Sequence, residues 1–168
     1  MTPRPPIHLL AVIGAALLLV FAACRTPKVT TQGAADAYAA SVEQVAGERE
    51  LVPPLTVAGH RIDRTAKDLG GVVLITFGDR TLFESSERMN AALVILAAAA
   101  DRSQKELSDA KLQFVEFQAG DGGTRAIVPV SRLLLLAHGG VSVDELRTTV
   151  SPIGNCCPPK GSPSPGST

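Results

Sequence analysis

The chain has no tryptophan, a single tyrosine and only 4% aromatic residues over 168 positions, and its 16 basic side chains are matched by 16 acidic ones. Neither the positive field nor the stacking surfaces that nucleic-acid binding rests on are present, so no nucleic-acid partner is expected. Its 3 cysteines are too few and too unevenly placed for a disulfide scaffold. A folded core must therefore come from Val, Leu, Ile and Ala. Histidine is scarce as well: His8 falls in the leading segment, and neither His60 nor His138 has a cysteine or carboxylate at metal-ligand spacing. A glycine-rich phosphate loop, a His-Glu-x-x-His pair, a Cys-x-x-Cys pair and a nucleophile elbow are all missing. Without a base, a nucleophile and an oxyanion donor in one pattern the chain is expected not to be an enzyme, and no cofactor or metal is expected.

What is present begins with an address. Arg4 precedes an uncharged run, Leu9 to Ala23, which ends at Cys24 and the polar Arg25-Thr26-Pro27-Lys28. This is the layout of a signal peptide, and the run is shorter than the roughly 18 residues a helix needs to cross a bilayer. Phe21-Ala22-Ala23-Cys24 resembles the lipobox of bacterial lipoproteins. The resemblance implies removal of residues 1–23 and diacylation of Cys24. At about 0.8 kcal/mol per buried methylene, two or three acyl chains suffice for stable membrane anchoring. Arg25 stands where an Asp would retain an enteric lipoprotein at the inner membrane. By the same resemblance the destination is the outer membrane, facing the periplasm.

Behind a linker at 24–33, Ala34, Ala35, Tyr38, Val42, Val45 and Ala46 recur at three- and four-residue steps, which predicts an Ala-rich helix over 34–52 with Thr30 or Thr31 near its cap. Pro53-Pro54 closes it. Val72 to Phe77, entered through Gly70-Gly71 and left through Gly78-Asp79, reads as a buried strand, and Thr81 to Phe83 as its antiparallel return. Met89 to Leu107 carries Leu93, Val94, Leu96, Ala97 and Ala100 at helical spacing. Lys111 to Gln118 alternates as a second strand until Ala119 to Gly123 break the pattern. The stretch 127–140 reads two ways. Pro129, Leu133 to Leu136 and the Gly139-Gly140 stop favour a helix from Pro129 to His138. Asp121-Gly122-Gly123 as a hairpin turn instead makes Arg125 to Val130 and Leu133 to Ala137 strands. Glu145 to Val150 is expected as a last strand, and 153–168 is a Pro/Gly/Ser tail that cannot form a core. The adjacent Cys156 and Cys157 would bond each other only in a strained ring, so oxidation would favour an intermolecular disulfide; the alternative is that they are incidental tail residues.

The order of strand, helix, strand, helix, strand over 64–152 resembles the OmpA-like, peptidoglycan-associating domain of outer-membrane lipoproteins. Gly71-Val72-Val73-Leu74-Ile75-Thr76-Phe77-Gly78-Asp79 with Leu82-Phe83 is similar to that family's first strand and turn, Asn90, Leu93, Leu96 and Ala97 to its first helix, and Gly140-Val141 with Asp144 to Leu146 to the join before its next strand. The resemblance implies an α+β fold, a small mixed sheet with helices on one face (βαβαβ), preceded by the Ala-rich helix. It also implies non-catalytic association with peptidoglycan, an acid receiving the ammonium of a diamino acid and an arginine its carboxylate. Asp121, in Gln118-Ala119-Gly120-Asp121, stands at the acid's place, and Arg125-Ala126 resembles the arginine's, with Arg132 a competing choice. Read from the residues alone, Asp121 is equally a turn aspartate and Arg125 a solvated charge. Were 125–137 all strand, the order would instead resemble the roadblock family of protein-interaction scaffolds, with no cell-wall ligand.

Overall fold

The computed structural model describes residues 30–63 and 71–153, the last three by backbone alone. The signal peptide, Cys24, Cys156, Cys157 and the tail from 154 lie outside the described residues. The chain is α+β: a five-stranded mixed sheet in spatial order β1-β2-β3-β4-β5, with a helix before the first strand.

Helix α1 (Thr31–Gly47) starts where the Thr30 side chain accepts from the Gly33 amide at 3.0 Å. It buries the expected stripe, Ala34 through Ala46, with Tyr38 fully enclosed. It stops at Gly47, short of the prolines and of the expected end at 52, with Glu48 as its C-cap; glycine is a poor helix former and weakens the last turn. Strand β1 (Val57–Asp63), absent from the sequence reading, pairs antiparallel with β2 (Gly71–Phe77). As an edge strand with a bulge near Gly59 it shows too little apolar alternation to be read in advance.

The expected return strand at Thr81 to Phe83 is instead a turn: the Asp79 carboxylate accepts from the Thr81 amide and hydroxyl, both at 2.8 Å, and bends the chain away from the sheet. Ser85 then caps α2 (Ser86–Arg102), its hydroxyl accepting from the Arg88 amide at 3.3 Å. The expected continuous helix to Leu107 breaks at Ser103, whose hydroxyl meets that of Ser41 on α1 at 2.8 Å. A short α3 (Gln104–Asp109) buries Leu107 and leads into β3 (Leu112–Ala119). Strand β3 lies parallel to β2, so α2 and α3 form the crossover.

The two readings of 127–140 each hold for half of it. Strand β4 (Arg125–Pro129) pairs antiparallel with β3, and α4 (Val130–Ala137) follows directly, with Pro129 both the last strand residue and the helix cap. Proline is tolerated there because β5 reaches only Arg125 to Ile127, leaving no partner on that side for an amide hydrogen. The alternative strand at Leu133 to Ala137 is therefore helix. It ends as the glycine pair predicts: Gly140 donates to Leu135 O at 2.7 Å and Gly139, at φ +73, to Leu136 O at 3.2 Å, a Schellman closure. The expected last strand at Glu145 to Val150 is α5 (Val143–Thr149), and only Ser151–Ile153 forms β5. Ser142 and Glu145 carry the spacing of a capping box, and the Ser142 hydroxyl accepts from the Glu145 amide at 3.2 Å.

The helices and one sheet face share a core: Val73, Ile75, Phe77, Val115, Phe117, Ala126 and Val128 pack on Tyr38, Leu93, Leu96 and Leu133. The Tyr38 hydroxyl donates to Leu96 O at 3.1 Å and ties α1 to α2 across this layer. Tyr38→Phe is expected to cost about 1 kcal/mol, one net buried hydrogen bond, and Tyr38→Ala about 3–5 kcal/mol with a cavity. Urea titrations showing a lower midpoint at unchanged slope would check both.

Candidate functional site

In open sheets with parallel strands, ligands sit outside the carboxyl ends of those strands. Here the parallel pair ends at Phe77 and Ala119, and Gly120 donates its amide to Phe77 O at 2.8 Å, stitching the two exits together. From one exit runs the loop Gly78 to Ser85. From the other runs Gly120-Asp121-Gly122-Gly123, closed by Ala119 N donating to Thr124 O at 3.1 Å. This loop is sterically specified. Gly120 and Gly122 hold φ +64 and +73, and a Cβ at Gly123 would stand 1.8 Å from Ala119 O.

Asp121 rides exposed on this glycine loop and makes no hydrogen bond or ion pair among the described residues. Arg125 opens β4 opposite Gln118, and its Nη1 lies 3.3 Å from Glu116 Oε1, two residues further along the face that carries no helix of the core. The structure thus brings Asp121 and Arg125 to the same end of the sheet but turns the guanidinium toward Glu116. Arg132, the competing choice, is exposed on α4. Cys24, the expected lipidation residue, lies outside the described residues.

Sequence reasoning missed the polar line on that sheet face. Glu116 is 4% exposed at its side chain, and burial first, then the neighbouring Asp63 carboxyl, push it above the usual carboxylate range, with Arg125 pulling the other way. Beside it Gln118 donates Nε2 to Thr76 Oγ1 at 2.9 Å, leaving its buried Oε1 without a partner. The local signal for Glu116 is a carboxylate set between the apolar Val115 and Phe117. Its partner Asp63 belongs to the strand that could not be read.

On the loop after β2, burial alone would raise the Asp79 carboxyl, but Thr81 and Arg88 together outweigh it and hold it below the usual range. Arg88 Nε reaches Asp79 Oδ2 at 2.7 Å and its Nη1 donates to Pro53 O, so this pair fastens the loop to the segment ahead of β1. Asn90, matched to the resembled family's first helix, donates to Asp144 Oδ1 at 3.0 Å at the start of α5. The two described histidines each meet one aspartate, His60 with Asp36 at 2.9 Å and His138 with Asp101 at 2.8 Å. Neither pair includes a nucleophile, and no group of three or more metal-ligating side chains occurs among the described residues. The arrangement at the carboxyl end presents unpaired charges that can receive charged groups. Searches against protein-family models, curated proteins and solved structures return no match to this chain.

A carboxyl raised in the folded state favours folding while protonated; that contribution is complete below the unfolded value of about 4.3 and is lost as pH rises through the raised one. Glu116→Gln keeps the shape and the acceptor oxygen facing Arg125. The variant is expected to be more stable than the wild type at pH 7 and equal to it below about pH 4, read by urea unfolding at both.

Proposed function

We propose that the chain is a bacterial lipoprotein, anchored through a diacylated Cys24 in the outer membrane and facing the periplasm, whose folded domain is a non-catalytic OmpA-like module that associates with peptidoglycan. The observation that carries the reading is Asp121: an unpaired, exposed carboxylate on a sterically fixed glycine loop at the carboxyl end of a parallel strand pair, where an ammonium group can be received. Helix over Val130–Ala137 argues against the all-strand reading of 125–137, of which only Arg125–Pro129 is strand.

The reading places a geometric demand on the anchor. Fully extended, the spacer 25–30 reaches no more than roughly 20 Å, so the wall must be met close to the membrane. Among the described residues no helix is long and apolar enough to cross a bilayer; in this proposal the acyl chains on Cys24 are the attachment.

Two experiments test it. Metabolic labelling with palmitate is expected to mark the wild-type chain and not Cys24→Ala; equal labelling rejects the anchor. The full chain in detergent is expected to sediment with purified sacculi, and the double variant Asp121→Ala, Arg125→Ala to be retained at least about tenfold less, a loss of about 1.4 kcal/mol. Equal retention rejects the binding loop even if the fold is correct.

A further inference from the structure

We propose that Arg80 supplies the cationic half of this site: Arg80 and Asp121, on adjacent loops at the carboxyl end of the β2/β3 pair, form a clamp for a ligand end that carries an ammonium and a carboxylate together. The inference rests on the wall-binding reading above and names the residue that would receive the carboxylate.

The other guanidiniums near this end are already committed. Arg88 is held by Asp79 and Pro53 O. Arg125 offsets the nearly buried Glu116, and drawing it away would leave that carboxylate facing only Asp63, another acid. Arg80 differs from both. It is exposed and makes no hydrogen bond or ion pair among the described residues. Its stem is nevertheless placed: a Cβ on Gly120 would stand 2.9 Å from Arg80 Cγ and 3.6 Å from its Nε. The absent side chain at Gly120 is therefore the seat on which the Arg80 stem lies. Adjacent Cα atoms are 3.8 Å apart, so Arg80 Nε lies within roughly 9 Å of the Asp121 Cα. Two opposite charges therefore stand on neighbouring loops, and neither is in an ion pair among the described residues. A small zwitterion can be received by both, its carboxylate on the guanidinium fork and its ammonium on Asp121.

The test uses the full chain in detergent on three preparations of sacculi: native, carboxyl-amidated and amine-acetylated. On native sacculi Arg80→Ala and Asp121→Ala are each expected to bind at least about tenfold more weakly than wild type, Arg125→Ala within about twofold of it, and Arg80→Lys between wild type and Arg80→Ala. Amidation should abolish the difference between wild type and Arg80→Ala while sparing part of the Asp121→Ala loss; acetylation should do the reverse. Thermal unfolding of Arg80→Ala should match wild type, because the side chain is exposed. The proposal is overturned if Arg80→Ala binds native sacculi as wild type does, or if its deficit survives amidation unchanged. Loss in Asp121→Ala and Arg125→Ala with Arg80→Ala unaffected overturns this inference and leaves the wall-binding reading standing. Failure of the wild type to bind native sacculi removes both.

Discussion

The parallel pairing of β2 with β3 is the constraint on which the rest of the molecule depends. Parallel neighbours cannot be joined by a hairpin, so the chain must return over one face of the sheet, and α2 with α3 is that return. The crossover explains why Ala92, Leu93, Leu96 and Ala100 are buried and why Tyr38 can reach a carbonyl of α2. It also brings two loops distant in sequence, after Phe77 and after Ala119, to the same end of the sheet. Replace it with an antiparallel pairing and Gly120 would have no Phe77 carbonyl to donate to, nor Arg80 to underlie.

Charge is used economically within this frame. A chain with equal numbers of acids and bases has no net field to steer a ligand from afar, and at physiological salt exposed charges act over about 8 Å. Four of the eight described arginines are placed in local pairs: Arg88 with Asp79, Arg102 with Glu48, Arg125 with Glu116, Arg147 with Asp144. Those pairs do different things. Arg102 with Glu48 is exposed and adds little, whereas Arg88 with Asp79 is largely enclosed and fastens a loop. Arg125 is occupied by a carboxylate that burial has made costly to ionise. Position in the fold, more than residue type, decides which arginine is free to meet a ligand.

The same distinction marks how far the sequence could be read. Val72 to Phe77 is legible because a buried parallel strand is a continuous apolar run, and α2 because seventeen residues repeat one helical stripe. The glycine stop after α4 and the small-residue face of α1 follow from local chemistry alone. Strand β1 is illegible because it is an edge, paired on one side and half-exposed along its length. Helix α5 is too short for its period to outweigh the β-branched Val143, Thr148, Thr149 and Val150 around it, although its capping residues announce it. Asp121 can be found from its turn, since glycines on both sides are a local signal. The roles of Arg80 and Glu116 cannot, because each acquires its meaning from a residue distant in sequence: Gly120 on the neighbouring loop beneath one, Asp63 on β1 beside the other.

A shallow charged rim is a weak binding element by the usual standard, and three clefts bounded by described residues lie elsewhere: one of about 460 Å³ along Asp101 to Asp109, one of about 350 Å³ lined by Val94, Ala97 and Leu136, and one of about 250 Å³ near Leu55. Depth, however, matters most for a ligand that must be captured from dilute solution. Under the proposed function, a domain tied by a short spacer to a membrane alongside an insoluble polymer would meet its ligand at an effective concentration of roughly millimolar order, where a clamp of two charge-assisted contacts could hold a useful fraction of molecules bound. Many such weak attachments, each able to release and rebind, would then keep two layers in register without locking either. On this argument the glycine loop has to be stiff and the charges unpaired, and nothing about the task requires a pocket.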